Sequence, residues 1–214
     1  MSLDYHSVYA ELKEQHGEQD WWPGDSAFEI MIGAILTQNT AWANVEKALT
    51  NLKRANALSI PAILQSSHDA LAEMIRPSGY YNQKAKRLQG FCSWLADQGG
   101  IEALQAKDTG ELRNDLLAVN GIGPETADDI LLYALERPVF IIDAYTRRLF
   151  SRLGLIGGQE KYDELKAEFE ERLRGDARLY NEYHALIVIH GKDPCRKNPF
   201  CSRCSLSAHC RFSG

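Results

Sequence analysis

The stretch Leu116–Leu135, LLAVNGIGPETADDILLYAL, opens as an apolar run, turns on Gly121-Ile122-Gly123 and leaves as a helix. In its second half Ala127, Ile130, Leu131, Ala134 and Leu135 recur at the i, i+3, i+4 spacing of an apolar helix face. Two glycines around one apolar residue make a tight helix-to-helix turn whose backbone another molecule can approach closely. Ile122 suits the role of core anchor, and Pro124 stands where the next helix begins, a position proline favours. The turn reads in two ways. One is a plain glycine-capped connection. The other is a phosphate site made of outward N–H groups and the positive end of the helix dipole. Glu125, just after the turn, suits the dipole but is an odd neighbour for a phosphate.

Outward from this hairpin, helical patterns dominate. They cover the N-terminal MSLDYHSVYAELKEQHG, SAFEIMIGAIL, NVEKALTNLKRA, NQKAKRLQGFCSWLADQ, DELKAEFEERL and NEYHALIVIHG. Only RPVFII suggests a strand, too short and unpartnered to define a sheet. The expected class is all-α. At 214 residues the chain is long enough for one sizeable domain or two small ones. With 44% apolar and 25% charged residues, it has the composition of an ordinary globular protein. It shows no secretory pattern and no apolar run near membrane-spanning length, so a cytoplasmic protein without membrane contact is expected.

The net charge of −5 argues against a protein that coats nucleic acid through bulk charge. The charge is uneven, however. Basic residues cluster at Lys84, Lys86 and Arg87, at Arg147, Arg148 and Arg152, and from Lys192 to the end. Each cluster reads either as a solvated helix surface or as a patch facing phosphates.

Four of the five cysteines, Cys195, Cys201, Cys204 and Cys210, stand in a C-x5-C-x2-C-x5-C tail. A disulfide framework fits poorly with a signal-less, much larger helical protein. Four clustered thiolates point to an iron–sulfur cluster or to zinc. The single C-x2-C pair favours the cluster, since structural zinc sites usually carry two. With no open ligand position, its role is structural. Cys92, on an apolar helix face, reads as a small core residue.

Asp143 follows the apolar VFII segment and opens another helical pattern, as an N-cap or as an acid presented at a site. The pair Trp21-Trp22 before Pro23, together with Trp42, reads as a hydrophobic cap or as a stacking pocket.

VNGIGPETA, IIDAYTRRL, HGK and the cysteine tail together resemble the helix-hairpin-helix DNA glycosylases related to endonuclease III, over about Trp21 to Cys210. WWP, GAILTQNT and RPSGYYNQKAKRL resemble the 3-methyladenine glycosylase branch of that family. The resemblance implies a two-domain all-α fold. Residues 21–135 would form a six-helix barrel domain ending in the helix-hairpin-helix at about 112–135. Residues 1–20 and 136–214 would form a discontinuous domain carrying a [4Fe–4S] loop at 195–210. The first cysteine gap is one residue shorter than is usual in the family.

The resemblance also implies roles. Asp143 matches the catalytic aspartate. Glu125 stands where bifunctional members carry a lysine that forms a Schiff base with the sugar, so a monofunctional enzyme without AP lyase activity is expected. Trp21, Trp22, Pro23, Trp42, Glu125 and Lys192 are candidates for the pocket of a flipped-out base. Indole faces suit cationic alkylpurines such as 3-methyladenine or 7-methylguanine. Gln38, ahead of Asn39, would fill the gap the base leaves. Lys84 and the backbone of Gly121, Ile122 and Gly123 would contact DNA. The expected partner is double-stranded DNA with damaged bases, bound by a monomer. Two other readings stay open: a glycosylase for hypoxanthine, a mismatched or an oxidised base, and a non-catalytic DNA-binding module.

Overall fold

The computed structural model describes residues 3–21 and 24–212, and among them there are helices and no strands. The chain divides into two compact units. The central unit is Trp22–Leu135, and the terminal unit joins Met1–Trp21 to Glu136–Gly214. No helix among the described residues is long and apolar enough to cross a membrane.

The central unit is built on α2 (Ala27–Leu36). From Glu29 to Leu36 every residue of this helix is buried, as its nearly unbroken apolar sequence requires. Around it pack α3 (Trp42–Arg54), α6 (Tyr81–Asp97) and α9 (Pro124–Asp129). The last of these widens into a π-helical turn, Ile130–Ala134, whose five residues are all buried. The short helices α4 (Ile60–Gln65) and α5 (His68–Met74) lie against α6. They are followed by a 3-10 turn at Arg76–Ser78. Helices α7 (Ile101–Gln105) and α8 (Thr109–Ala118) lead to the hairpin. Serine and aspartate start many of these helices: Ser26, Ser59, Ser67 and Asp108 each accept a backbone N–H of the first turn.

The terminal unit contains α1 (Tyr5–His16), α10 (Ala144–Leu153), α11 (Tyr162–Leu173) and α12 (Ala177–Lys192). The VFII segment is buried at Val139–Ile142 but pairs with no strand. Two of its N–H groups find side chains instead. Phe140 N donates to Glu170 Oε1 at 2.8 Å and Ile142 N to the Tyr162 hydroxyl at 3.4 Å. The core of this unit is aromatic. Phe169 stacks on Phe140 at 4.6 Å between centroids and meets Phe150 edge-on at 4.6 Å and Tyr5 at 4.7 Å. Tyr183 is fully buried and donates its hydroxyl to Tyr5 O at 2.7 Å.

Because Phe169 joins three helices and the VFII segment, Phe169→Ala leaves a cavity that none of its neighbours can fill alone. A loss of about 3–5 kcal/mol is expected. Urea unfolding at constant slope measures it, and a loss below about 1 kcal/mol contradicts this account of the core.

Candidate active site and nucleic-acid interface

In the terminal unit the extended VFII segment delivers Asp143 to the start of α10. There its carboxylate accepts the N–H of Thr146 at 2.7 Å. The second carboxylate oxygen lies 3.6 Å from Nε2 of His184 on α12. Asp143 is only 9% exposed. Burial alone would raise its pKa, but the contact with His184 and the Thr146 N–H outweigh it and hold the carboxyl below its ordinary value. Asp143 is therefore a fixed anion in poorly solvated surroundings, the setting in which a charge acts most strongly on a developing cation. Helices α10 and α12 approach closely because Gly191 has no side chain. A Cβ there would lie 2.5 Å from the Tyr145 ring. Just beyond, the exposed Lys192 places its ammonium 5.7 Å from the centre of the Trp21 ring, a cation–π contact.

The tail hangs on α10 and α12. Arg148 donates to Gly191 O at 2.7 Å and to Cys195 O at 2.9 Å. Arg152 donates to the carbonyls of Cys195, Arg196 and Lys197 and lies 3.3 Å from Cys195 Sγ. Cys204 Sγ is 3.3 Å from Nε2 of His190, whose Nδ1 is 3.0 Å from His16 Nε2. His190 is thus a buried, bonded core histidine. Burial raises the Cys204 thiol, and the charges of Cys195, Cys210 and Cys201 raise it further, so the four sulfurs are electrostatic neighbours. Among the described residues, no three His, Cys, Asp or Glu side chains are arranged to hold a metal ion. The donor set is nonetheless four thiols with a guanidinium beside one of them, which suits an iron–sulfur cluster in chemistry and charge.

In the central unit the hairpin joins α8 to α9. Ile122 is 5% exposed and its N–H bonds Val119 O at 3.1 Å, so its side chain anchors the turn. Gly121 has φ +88°, and a Cβ on it would lie 2.6 Å from the Arg87 side chain. Gly123 caps α9, is exposed, and a Cβ built on it meets nothing within 4 Å. The first glycine is thus demanded by the fold, whereas the second leaves backbone open to an approaching molecule. Glu125 is exposed in the first turn of α9.

Two sequence expectations need correction. Lys84 is not a surface phosphate contact: it is 1% exposed, and its ammonium donates to Leu36 O at 2.8 Å and Ser78 O at 2.7 Å. Its four-carbon stem reaches inward from α6 to two carbonyls at the ends of other elements, which no charge count reveals. Gln38 is not the projecting residue of its loop. Its amide donates to Gly121 O at 3.0 Å and Thr126 Oγ1 at 2.9 Å, and it accepts from Arg87. Asn39, exposed at φ 55°, projects instead. Trp42 is half-buried against Gly33 at the start of α3. Trp22 and Pro23 lie outside the described residues.

Two residues escaped the sequence reading. His184 lay hidden as one more member of a buried helix. Tyr80, 68% exposed at φ 46° just before α6, was signalled by the Gly-Tyr-Tyr-Asn run.

Comparison with known proteins agrees with this arrangement. Residues 32–175 match the model of the HhH-GPD superfamily base excision DNA repair proteins. A protein of Methanocaldococcus jannaschii, provisionally named as a DNA repair glycosylase, is 49% identical over 96% of this chain and 94% of its own. Endonuclease III of Sulfolobus acidocaldarius is 28% identical over 87% of this chain and 82% of its own. Among solved structures, the H. pylori 3-methyladenine DNA glycosylase MagIII, bound to 1,N6-ethenoadenine, is 35% identical. Its TM-score is 0.78, covering 89% of this chain and 98% of that one. An endonuclease III–DNA complex shares the fold at TM-score 0.83 and 21% identity, over 96% of this chain and 93% of that one. The chain belongs to the HhH-GPD superfamily of base excision DNA repair proteins, among its DNA glycosylases.

Proposed function

We propose that this protein releases alkylated purines, 3-methyladenine and 7-methylguanine, from double-stranded DNA and leaves the sugar–phosphate backbone intact. The observation that carries the second half is Glu125, a carboxylate where the family's bifunctional members carry their lysine. A carboxylate cannot form a Schiff base, so the covalent route to strand cleavage is absent at that position. The alkylpurine half is supported by the similarity to MagIII and by the tryptophans Trp21, Trp22 and Trp42, with Pro23, as pocket candidates.

In this reaction the bond between the purine nitrogen and C1′ breaks, and its electron pair leaves with the cationic base, neutralising it. The sugar carries oxocarbenium charge until water bonds to C1′ and releases a proton. Asp143, already ionised, stabilises that charge and orients or deprotonates the water. Because the alkylated base is a good leaving group, little acid catalysis is needed. Within the Gly121–Gly123 turn, the open backbone at Gly123 takes a phosphate. Asn39 and the exposed ring of Tyr80 face the stacked bases, where a polar amide can fill the space left by a flipped base and an aromatic ring can stack. Lys192 supplies positive charge beside Trp21. Binding as a monomer is part of the same reading.

Cys195, Cys201, Cys204 and Cys210 would hold a [4Fe–4S] cluster, which ties down a segment with little core of its own. Purified anaerobically, the protein is expected to contain about four irons and four sulfides per chain and to absorb broadly near about 400 nm. One zinc and no iron would replace this assignment.

The reaction is tested with duplexes that each carry one defined lesion, scored for base release and for nicking before and after alkali. Release of methylated purines with nicking only after alkali is expected. Nicking without alkali refutes the monofunctional reading. Release of hypoxanthine or an oxidised base instead refutes the substrate, and no release at all points to a binding module.

Asp143→Asn keeps an N-cap acceptor for Thr146 and so keeps α10. It is expected to lower turnover roughly 100- to 10,000-fold with duplex affinity within about threefold. Surviving turnover means that Asp143 is only a cap.

A further inference from the structure

Three turns of the central unit present a non-glycine residue on left-handed backbone to solvent, Asn39 after α2, Asn56 after α3 and Tyr80 before α6, and the first and last of them share one buried tie. Asparagine enters this region readily, whereas a tyrosine is held there only at a cost. A single buried group reaches the foot of both turns. The Lys84 ammonium bonds the carbonyl of Leu36, the last residue of α2, three positions before Asn39. It also bonds the carbonyl of Ser78, the last residue of the 3-10 turn, two positions before Tyr80. Both acceptors are helix-end carbonyls, which lack intrahelical donors and sit at the negative end of their dipoles. Ser78 is itself locked, with its buried hydroxyl donating to Ile75 O at 2.7 Å. The first turn has a second tie through Gln38, which reaches Gly121 O and Thr126 of the hairpin. Burial, with Arg87 adding to it, lowers the Lys84 pKa to about 8. The site keeps a costly charge that a core needing only to be filled would replace with an apolar side chain.

We propose that Lys84 is a positioning residue for damage recognition: its ammonium fixes the Asn39 turn against the Tyr80 turn, so that both side chains enter the duplex together at a lesion. The proposal rests on the glycosylase reading above. It makes Lys84 act only through the two side chains that it places, and a purely structural lysine has no such dependence.

The test uses duplexes with a tetrahydrofuran abasic analogue beside 2-aminopurine, which report site opening without any base-release chemistry. For Lys84→Met, affinity for the abasic duplex is expected to fall about tenfold, while the undamaged duplex changes by less than about twofold. The 2-aminopurine signal is expected to fall with it. Introduced into Asn39→Ala/Tyr80→Ala, the same substitution is expected to add less than about twofold, since the groups it positions are gone. A full tenfold loss in that background, or equal losses on both duplexes, overturns the proposal. Circular dichroism checks the fold. If Lys84→Met does not fold, the cycle is run with Lys84→Gln, which keeps two N–H donors. Failure of both to fold overturns the proposal, because the lysine is then a requirement of the fold. A wild type that does not prefer the abasic duplex overturns the glycosylase reading itself, a different outcome from additivity in the cycle.

Discussion

The terminal unit depends on how one carboxylate is spent. Asp143 caps α10 through the Thr146 N–H and, with its other oxygen, faces His184 on α12. An acid used only as a cap would lie in water and contribute about 1 kcal/mol. This one is buried, and burial favours its neutral form, so its ionisation depends on these two neighbours. The same helix carries Arg148 and Arg152, which together take up the carbonyls that begin the cysteine segment. One short helix thus fixes an anion at its N-terminus and a loop-rich tail at its C-terminal half. A tail with little buried apolar area needs such ties, since Leu206 is its one fully buried large apolar side chain among the described residues.

The central unit solves a similar problem with buried polar groups. The Asn39 and Tyr80 turns are tied by hydrogen bonds from Gln38, Lys84 and Arg87 to carbonyls and to one another. Such bonds are directional and, once buried, costly to break. They therefore hold turn geometry more narrowly than a hydrophobic contact, which tolerates sliding. Arg87 also occupies the space where a side chain on Gly121 would stand, so the hairpin and the Asn39 turn share one support.

The long amphipathic helices were legible because burial imposes a period that short-range composition records. The hairpin was legible because glycine and proline restrict backbone in opposite senses. RPVFII misled because four apolar residues in a row mean burial, and burial without a partner strand is still burial. The short helices α4, α5 and α7 were missed because five to seven residues do not span two turns of any period. Lys84, Gln38 and His184 were misread or missed for a common reason. Each is defined by a partner distant in sequence, and a polar residue on a helix looks the same whether it meets water or a carbonyl 48 positions away.

Glu125 illustrates how an absence can be read physically. An acid in the first turn of α9 is favoured by the helix dipole, so the fold tolerates it without further explanation. A phosphate at the hairpin is repelled by it, which a protein that merely holds DNA has every reason to avoid. A lysine at that position would help both the grip and, as a nucleophile, the cleavage of the strand. Choosing the acid gives up both advantages, and the choice is coherent where chemistry needs no amine at the sugar. A base that is cationic before cleavage and leaves neutral, as in the proposed reaction, meets that condition, since a fixed carboxylate and a water would complete it. In the proposed function the glycine hairpin would then hold the strand through backbone alone, at Gly123, where the chain leaves open space.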